Sequence, residues 1–190
     1  MISLIEFIER YENSYNRDNC FQSRIEIGED FESDYLKVKH IHKLMEDICN
    51  HFFFNKELYI VLFLWNTNKK TKQELITCGF NYSKIDSIFN DLKISDIKLA
   101  DNPPNKEVSL LIINKYDFST IKSIVQAIAG YEILIKPSAN ISAYFISFGE
   151  EYDVLVNLYD DRGIEILTTS QIISNQIENI FFNTIDKIKK

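Results

Sequence analysis

Three histidines and three cysteines have the widest chemical repertoire in this chain, and their spacing limits how much of it they can use. His40, Lys43, Asp47 and His51 fall on one helical strip, because eleven residues return to nearly the same angle. His40 and His51 would still stand about 16 Å apart along the axis at 1.5 Å per residue, too far to share an ion. His42 and Glu46, four apart, could supply two metal ligands, but the HExxH order and a third ligand are missing. Cys49 neighbours His42 in helical angle yet lies two turns away, so this spacing makes no thiol–imidazole nucleophile. It reads as a buried, inert thiol. No GxSxG elbow occurs. The expectation is a protein without catalytic residues, metal or cofactor, and not an enzyme.

Two charged clusters remain. Glu26, Glu29, Asp30, Glu32 and Asp34 place five carboxylates in nine residues with no intervening base. Acids at a helix N-terminus gain about 0.3–1 kcal/mol each from the macrodipole. Five exceed what capping requires, so a face that docks a basic partner is the second reading. The other cluster lies within Val154-Leu155-Val156-Asn157-Leu158-Tyr159-Asp160-Asp161-Arg162-Gly163-Ile164-Glu165-Ile166. Asp-Asp-Arg-Gly suits a tight hairpin in which Gly163 can take positive φ. Turn chemistry does not require two adjacent carboxylates followed by Arg162. They could pair internally, or they could present a polar tip to a partner or small ligand.

The composition narrows the classes that could use such clusters. The chain has 190 residues, 45% of them hydrophobic and 26% charged. A chain this apolar folds, and its length suits one core in a single domain over residues 1–190. With 21 basic against 28 acidic side chains, the net charge is -7 and the pI near 5.0. Such a chain binds neither nucleic acid nor anionic membrane by non-specific attraction, and it would draw a basic partner. Gly28, Gly79, Gly130, Gly149 and Gly163 are too widely separated to build a phosphate-cradling loop. The first residues, Met-Ile-Ser-Leu-Ile-Glu-Phe-Ile-Glu-Arg, lack a basic leader and a small-residue cleavage site, and are not expected to be a secretory signal. No run of about 18 apolar residues suggests a membrane span. Cys20, Cys49 and Cys78, widely spaced and without CxxC, fit reduced thiols in a cytoplasmic protein.

The elements that must position these groups follow from periodicity. Residues 2–15 put Leu4, Ile5, Ile8, Tyr11 and Tyr15 on one helical stripe. Phe21 to Ile27 alternates as a strand. From Tyr35, Val38, Ile41, Met45, Ile48 and Phe52 recur at helical steps, with Ser33 or Asp34 as N-cap. Leu58 to Trp65 is a continuous apolar run, expected as a strand buried on both faces. Thr71–Cys78 and Tyr82–Leu92 are candidate helices, Asn102-Pro103-Pro104-Asn105 a loop, and Val108–Ile113 a second buried strand. Phe118 to Ile128 is helical, with Gly130 as its expected stop, and Ile133–Ile135 is a candidate short strand. Ala143–Phe148, Val154–Tyr159 and Ile164–Leu167 form a hairpin meander. Thr169 or Ser170 then caps a closing helix burying Ile173, Ile177, Ile180 and Phe181. The expected fold class is α+β: an antiparallel or mixed sheet of about five to six strands covered by helices.

The segment Asn157-Leu158-Tyr159-Asp160-Asp161-Arg162-Gly163-Ile164-Glu165-Ile166 resembles a family of bacterial proteins classed as a domain of unknown function. These end in a strand carrying Tyr-Asp-Asp-Arg-Gly, a short apolar strand and a closing helix. Lys39-His40-Ile41-His42-Lys43-Leu44-Met45 and Lys56-Glu57-Leu58-Tyr59-Ile60-Val61 are similar to the family's helix–loop–strand pattern. The resemblance spans roughly residues 20–185, and residues 66–106 show no match. It implies a small cytoplasmic protein without established catalysis, some of whose relatives serve as immunity proteins beside secreted contact-dependent or polymorphic toxins. The expected partner is then a cognate, basic protein toxin such as a nuclease, blocked at its active site. The residues expected at the interface are Glu29, Asp30, Glu32, Asp34, Asp160, Asp161 and Arg162. Two alternatives stay open: a small enzyme or ligand binder at the Asp160-Asp161-Arg162 hairpin, and an interaction domain unrelated to toxins.

Overall fold

The computed structural model describes residues 4–12, 19–64, 69–80, 107–113, 116, 118–158, 161–177 and 181. Six strands, β1 (Phe21–Glu26), β2 (Leu58–Leu64), β3 (Glu107–Ile113), β4 (Ile141–Ser147), β5 (Val154–Leu158) and β6 (Gly163–Thr168), form one sheet. Its order is β1-β6-β5-β4-β2-β3, and every neighbouring pair is antiparallel. Helices α1 (Leu4–Glu12), α2 (Asp34–Phe53), α3 (Lys69–Thr77) and α4 (Phe118–Glu132), with a closing helix α5 over 171–177, cover it. This is the expected α+β class, with the choice between antiparallel and mixed resolved to antiparallel.

Alternation along the strands sends side chains into two cores. Ile60, Leu62, Leu64, Ala143, Phe145, Val154, Val156, Ile164 and Ile166 face α2 and α4. Val61, Phe63, Tyr144, Ile146, Leu155 and Leu167 face Phe7, Ile8 and Tyr11 of α1. The continuous apolar run at Leu58–Leu64 follows from this, because a strand covered on both faces has no solvent phase. Each such aliphatic or aromatic side chain contributes about 1.5–3 kcal/mol when fully buried. No helix among the described residues is long and apolar enough to cross a membrane.

Helix α2, about 30 Å long at 1.5 Å per residue, carries the stripe Val38, Ile41, Met45, Ile48 and Phe52, all buried. Ser33 is its N-cap, accepting from Leu36 N–H at 3.3 Å, and Asp34 is the first helical residue. Ser170 caps α5, accepting from Ile173 N–H at 3.4 Å. There Ile177 and Phe181 are buried and Ile173 is partly so. Tyr15, Trp65, Ile180, the Tyr82–Leu92 helix and the 102–105 loop lie outside the described residues.

Three local expectations need correction. Helix α4 does not stop at Gly130; it runs to Glu132, and the left-handed residue that ends it is Leu134, φ 57°. Ile135 N–H then donates back to Gly130 O at 2.9 Å. Ile133–Ile135 is this turn rather than a strand. Gly130 is needed for a different reason: a Cβ there would stand 2.5 Å from Ile135 O. Gly163 does not use positive φ. It opens β6, paired with Glu26, and among the described glycines only Gly79, φ 93°, takes that region. Gly79 ends α3, with Phe80 N–H donating to Leu75 O and Gly79 N–H to Ile76 O, a paired closure that needs a left-handed residue at this point.

Candidate functional site

The two charged clusters, more than 120 residues apart in sequence, meet at one end of the sheet. Antiparallel register places Glu26 opposite Gly163, so the chain leaving β1 runs beside the chain entering β6. Ile27 N–H extends the ladder by donating to Arg162 O at 2.7 Å. Beyond it, residues 27–33 form a loop with apolar anchors. Ile27 is 1% exposed, and Phe31 packs on the core with its ring 5.2 Å from that of His40. With these inward, Glu29, Asp30, Glu32 and Asp34 are all exposed. Tyr35, 69% exposed, and Leu36, 40%, continue the same surface into α2. Glu26 is exposed but engages Arg24 at 2.7 Å, so among the described residues the acids without such a neighbour begin at Glu29.

The hairpin divides its residues between two tasks. Asp161 is 9% exposed and its Oδ2 lies 2.6 Å from Lys37 Nζ, which comes from the first turns of α2 and is itself buried. The expectation that the acids pair with Arg162 or form an open tip fails for Asp161, which pairs with α2 instead. Arg162 is exposed beside the acidic loop. Asp160 and Tyr159 lie outside the described residues. Of the seven residues expected at an interface, the structure therefore gathers Glu29, Asp30, Glu32, Asp34 and Arg162 on one exposed end. It turns Asp161 into the internal support of that end.

Lys37 was not among the expected residues, although the sequence carried a sign of it. It precedes Ile41, Leu44 and Ile48 by four, seven and eleven residues, which puts a lysine on the apolar stripe. A second polar group was also missed, on the α1 face of the sheet. Tyr11 hydroxyl donates to Glu165 Oε2 and accepts from Asn157 Nδ2 at 2.6 Å, and Arg24 Nη1 lies 3.8 Å from Glu165 Oε1. Asn157 and Glu165 are register partners in the phase otherwise held by Leu155 and Leu167. Asn157 is 5% exposed, and its Oδ1 has no hydrogen-bond partner among the described residues. This cluster fixes α1 to the two strands that carry the hairpin.

The histidines and cysteines take structural places. His42 Nε2–H donates to Gln126 Oε1 at 2.9 Å, and Gln126 Nε2 donates to Pro137 O at 3.1 Å, joining α2, α4 and the loop after α4. Burial lowers the His42 pKa, Lys122 adding to the effect against the Gln126 hydrogen bond and Glu46. His51 packs edge-on against Phe52 and Phe181. Cys49 is fully buried, and burial alone pushes its thiol far up, as expected of an inert cysteine. Among the described residues, no three His, Cys, Asp or Glu are placed to hold a metal ion.

A family model described as a domain of unknown function, DUF3885, matches residues 10–184. No curated protein and no solved structure matches the chain.

Proposed function

The chain belongs to the DUF3885 family, and we propose that it works by binding a basic protein partner on the end of the sheet formed by the acidic loop, the start of α2 and Arg162. The observation that carries this reading is the pairing of four exposed acids with exposed Tyr35 and Leu36 on one anchored surface. Acids steer a basic partner and raise its association rate. An aromatic and an aliphatic residue provide the apolar contact on which interface energy concentrates. Phe31, Ile27 and the Lys37–Asp161 pair hold the surface in shape before binding, which lowers the ordering cost. In its most specific form the proposal is an immunity-type protein of a bacterial cytoplasm that blocks the active site of a cognate toxin such as a nuclease.

A ligand site at the hairpin receives less support. It would need the Asp161 carboxylate, which is buried and already engaged by Lys37.

Co-expression with the toxin encoded immediately upstream tests the proposal. Rescue of growth and a stable complex are expected. Reversing Glu29, Asp30 and Glu32 to Lys should slow association at low salt by about tenfold or more, with a smaller effect at high salt. Absence of rescue and of any complex would end the toxin reading. A complex whose association rate ignores the three reversals would move the interface elsewhere.

A further inference from the structure

A cavity of about 550 Å³ opens between the C-terminal half of α3 and the loop after α4, lined among the described residues by Glu74, Thr77, Lys136, Pro137 and Ser138. Its size falls within the roughly 300–1,000 Å³ of small-molecule sites, and its wall is mainly apolar with a few polar groups. We propose that this cavity binds a free amino acid with an apolar side chain, its ammonium on Glu74 and its carboxylate on Lys136. The proposal is independent of the binding face above.

Charge selects the ligand class. Glu74 and Lys136 come from different segments and face each other with Oε1 3.9 Å from Nζ, at the outer limit of an ion pair. Among the described residues this single long contact leaves acceptor sites of the carboxylate and donors of the ammonium for a ligand. The last turn of α3 holds Glu74 and no basic residue, so the negative end of the helix adds to the pull on a cation. A simple carboxylate placed here would gain Lys136 but meet Glu74, and a simple amine would meet Lys136. A zwitterion satisfies both, since each of its charges finds its opposite.

The rest of the wall agrees. Ser138 is 2% exposed, and its Oγ has no hydrogen-bond partner among the described residues. The loop is held to α4 by Gln126 on Pro137 O and by the close approach that Gly130 permits, so the site is formed in advance. Cys78 offers a reporter. Its thiol is pushed up to about 11, by burial foremost, with Lys136 pulling it down and Glu74 pushing it up, so it senses both charges.

The test is calorimetric titration of the full chain with leucine, 4-methylpentanoate and 3-methylbutylamine, which share a side chain and differ in charge. Leucine is expected to bind and to change the alkylation rate of Cys78, with each analogue at least about tenfold weaker. Lys136→Met and Glu74→Gln should each weaken leucine by a similar factor. Both positions are partly exposed, and circular dichroism confirms folding. The proposal is overturned if leucine, valine and phenylalanine all fail to bind at millimolar concentration. It is equally overturned if the analogues match leucine, or if both variants bind as the parent does.

Discussion

Replacing Lys37 by Met should destabilise the protein far more than an ordinary surface lysine would. The Lys37 and Asp161 side chains are 10% and 12% exposed, so their 2.6 Å pair is close to fully desolvated. An exposed ion pair is worth about 0–1 kcal/mol, whereas removing one member of a buried pair costs about 3–5 kcal/mol, because the other charge stays buried without its counter-ion. Lys37→Met leaves the Asp161 carboxylate in that position, and Asp161→Asn leaves the ammonium. Taking about 3 kcal/mol, the melting temperature should fall by about 6–12 °C for a domain of this length. With a urea dependence near 2–3 kcal/mol/M, the midpoint should fall by about 1–1.5 M. The double variant Lys37→Met/Asp161→Leu removes both charges and should be more stable than either single variant. Hydrogen exchange adds a local readout, since losing the pair frees the start of α2 beside the hairpin. The Ile27 amide, which donates to Arg162 O, should lose more protection than amides in β4. Single variants within about 0.5 kcal/mol of the parent, which is ordinary surface behaviour, would refute the reasoning. So would a double variant that loses the sum of the singles.

Gly130→Ala reverses the usual helix rule. Alanine normally gains about 1 kcal/mol over glycine inside a helix, but here its Cβ would stand 2.5 Å from Ile135 O, so the melting temperature should drop. Tyr11→Phe removes the hydroxyl shared by Glu165 and Asn157 and should cost about 1–3 kcal/mol in urea denaturation; no loss would mean that the cluster is solvated. Acidification should destabilise through His42 and His51, whose pKa values are lowered mainly by burial. Because the folded state resists their protonation, this stability is complete above the unfolded value near 6.5 and is lost as pH falls below it. The slope is at most about 1.4 kcal/mol per pH unit for each histidine, and less for partly exposed rings. His42→Gln should flatten the profile between pH 7 and 5, and an unchanged profile would remove His42 from the account.

The fold was more legible than the site, for a physical reason. Strands and helices announce themselves through the period of many apolar residues, so β2, α2 and the β4–β5–β6 meander were readable from their own segments. Turn geometry depends on one or two residues and on what packs against them. Gly130 looks like a helix stop in sequence, and only the loop folding back with Ile135 O shows that it serves close approach. The acids at Glu29, Asp30, Glu32 and Asp34 were readable as a cluster, and their exposure follows from the flanking anchors Ile27 and Phe31. The pairing of Asp161 was not legible because its partner, Lys37, lies 124 residues away and no local spacing connects the two. The sign that was present, a lysine on an apolar stripe and an Asn and a Glu in buried strand phases, is of one kind. A polar residue where the period demands an apolar one implies a distant partner.

Sheet order explains why the two clusters lie together. β1 is joined to β6 at the end of the sheet, although among the described residues five elements lie between β1 and the β4–β6 meander in sequence. Antiparallel pairing of such strands necessarily places the residues after one beside the residues before the other, so the acidic loop and the hairpin share an end. The register then matters more than the turn sequence. A shift of β1 by one residue would turn Ile25 away from its core and Arg24 away from Glu165, a loss large enough to exclude it. The proposed binding surface is therefore set by the same side chains that fix the register, and the Lys37–Asp161 pair ties α2 to that arrangement. A partner that reads Glu29, Asp30, Glu32 and Arg162 together would be reading the correct pairing of β1 with β6.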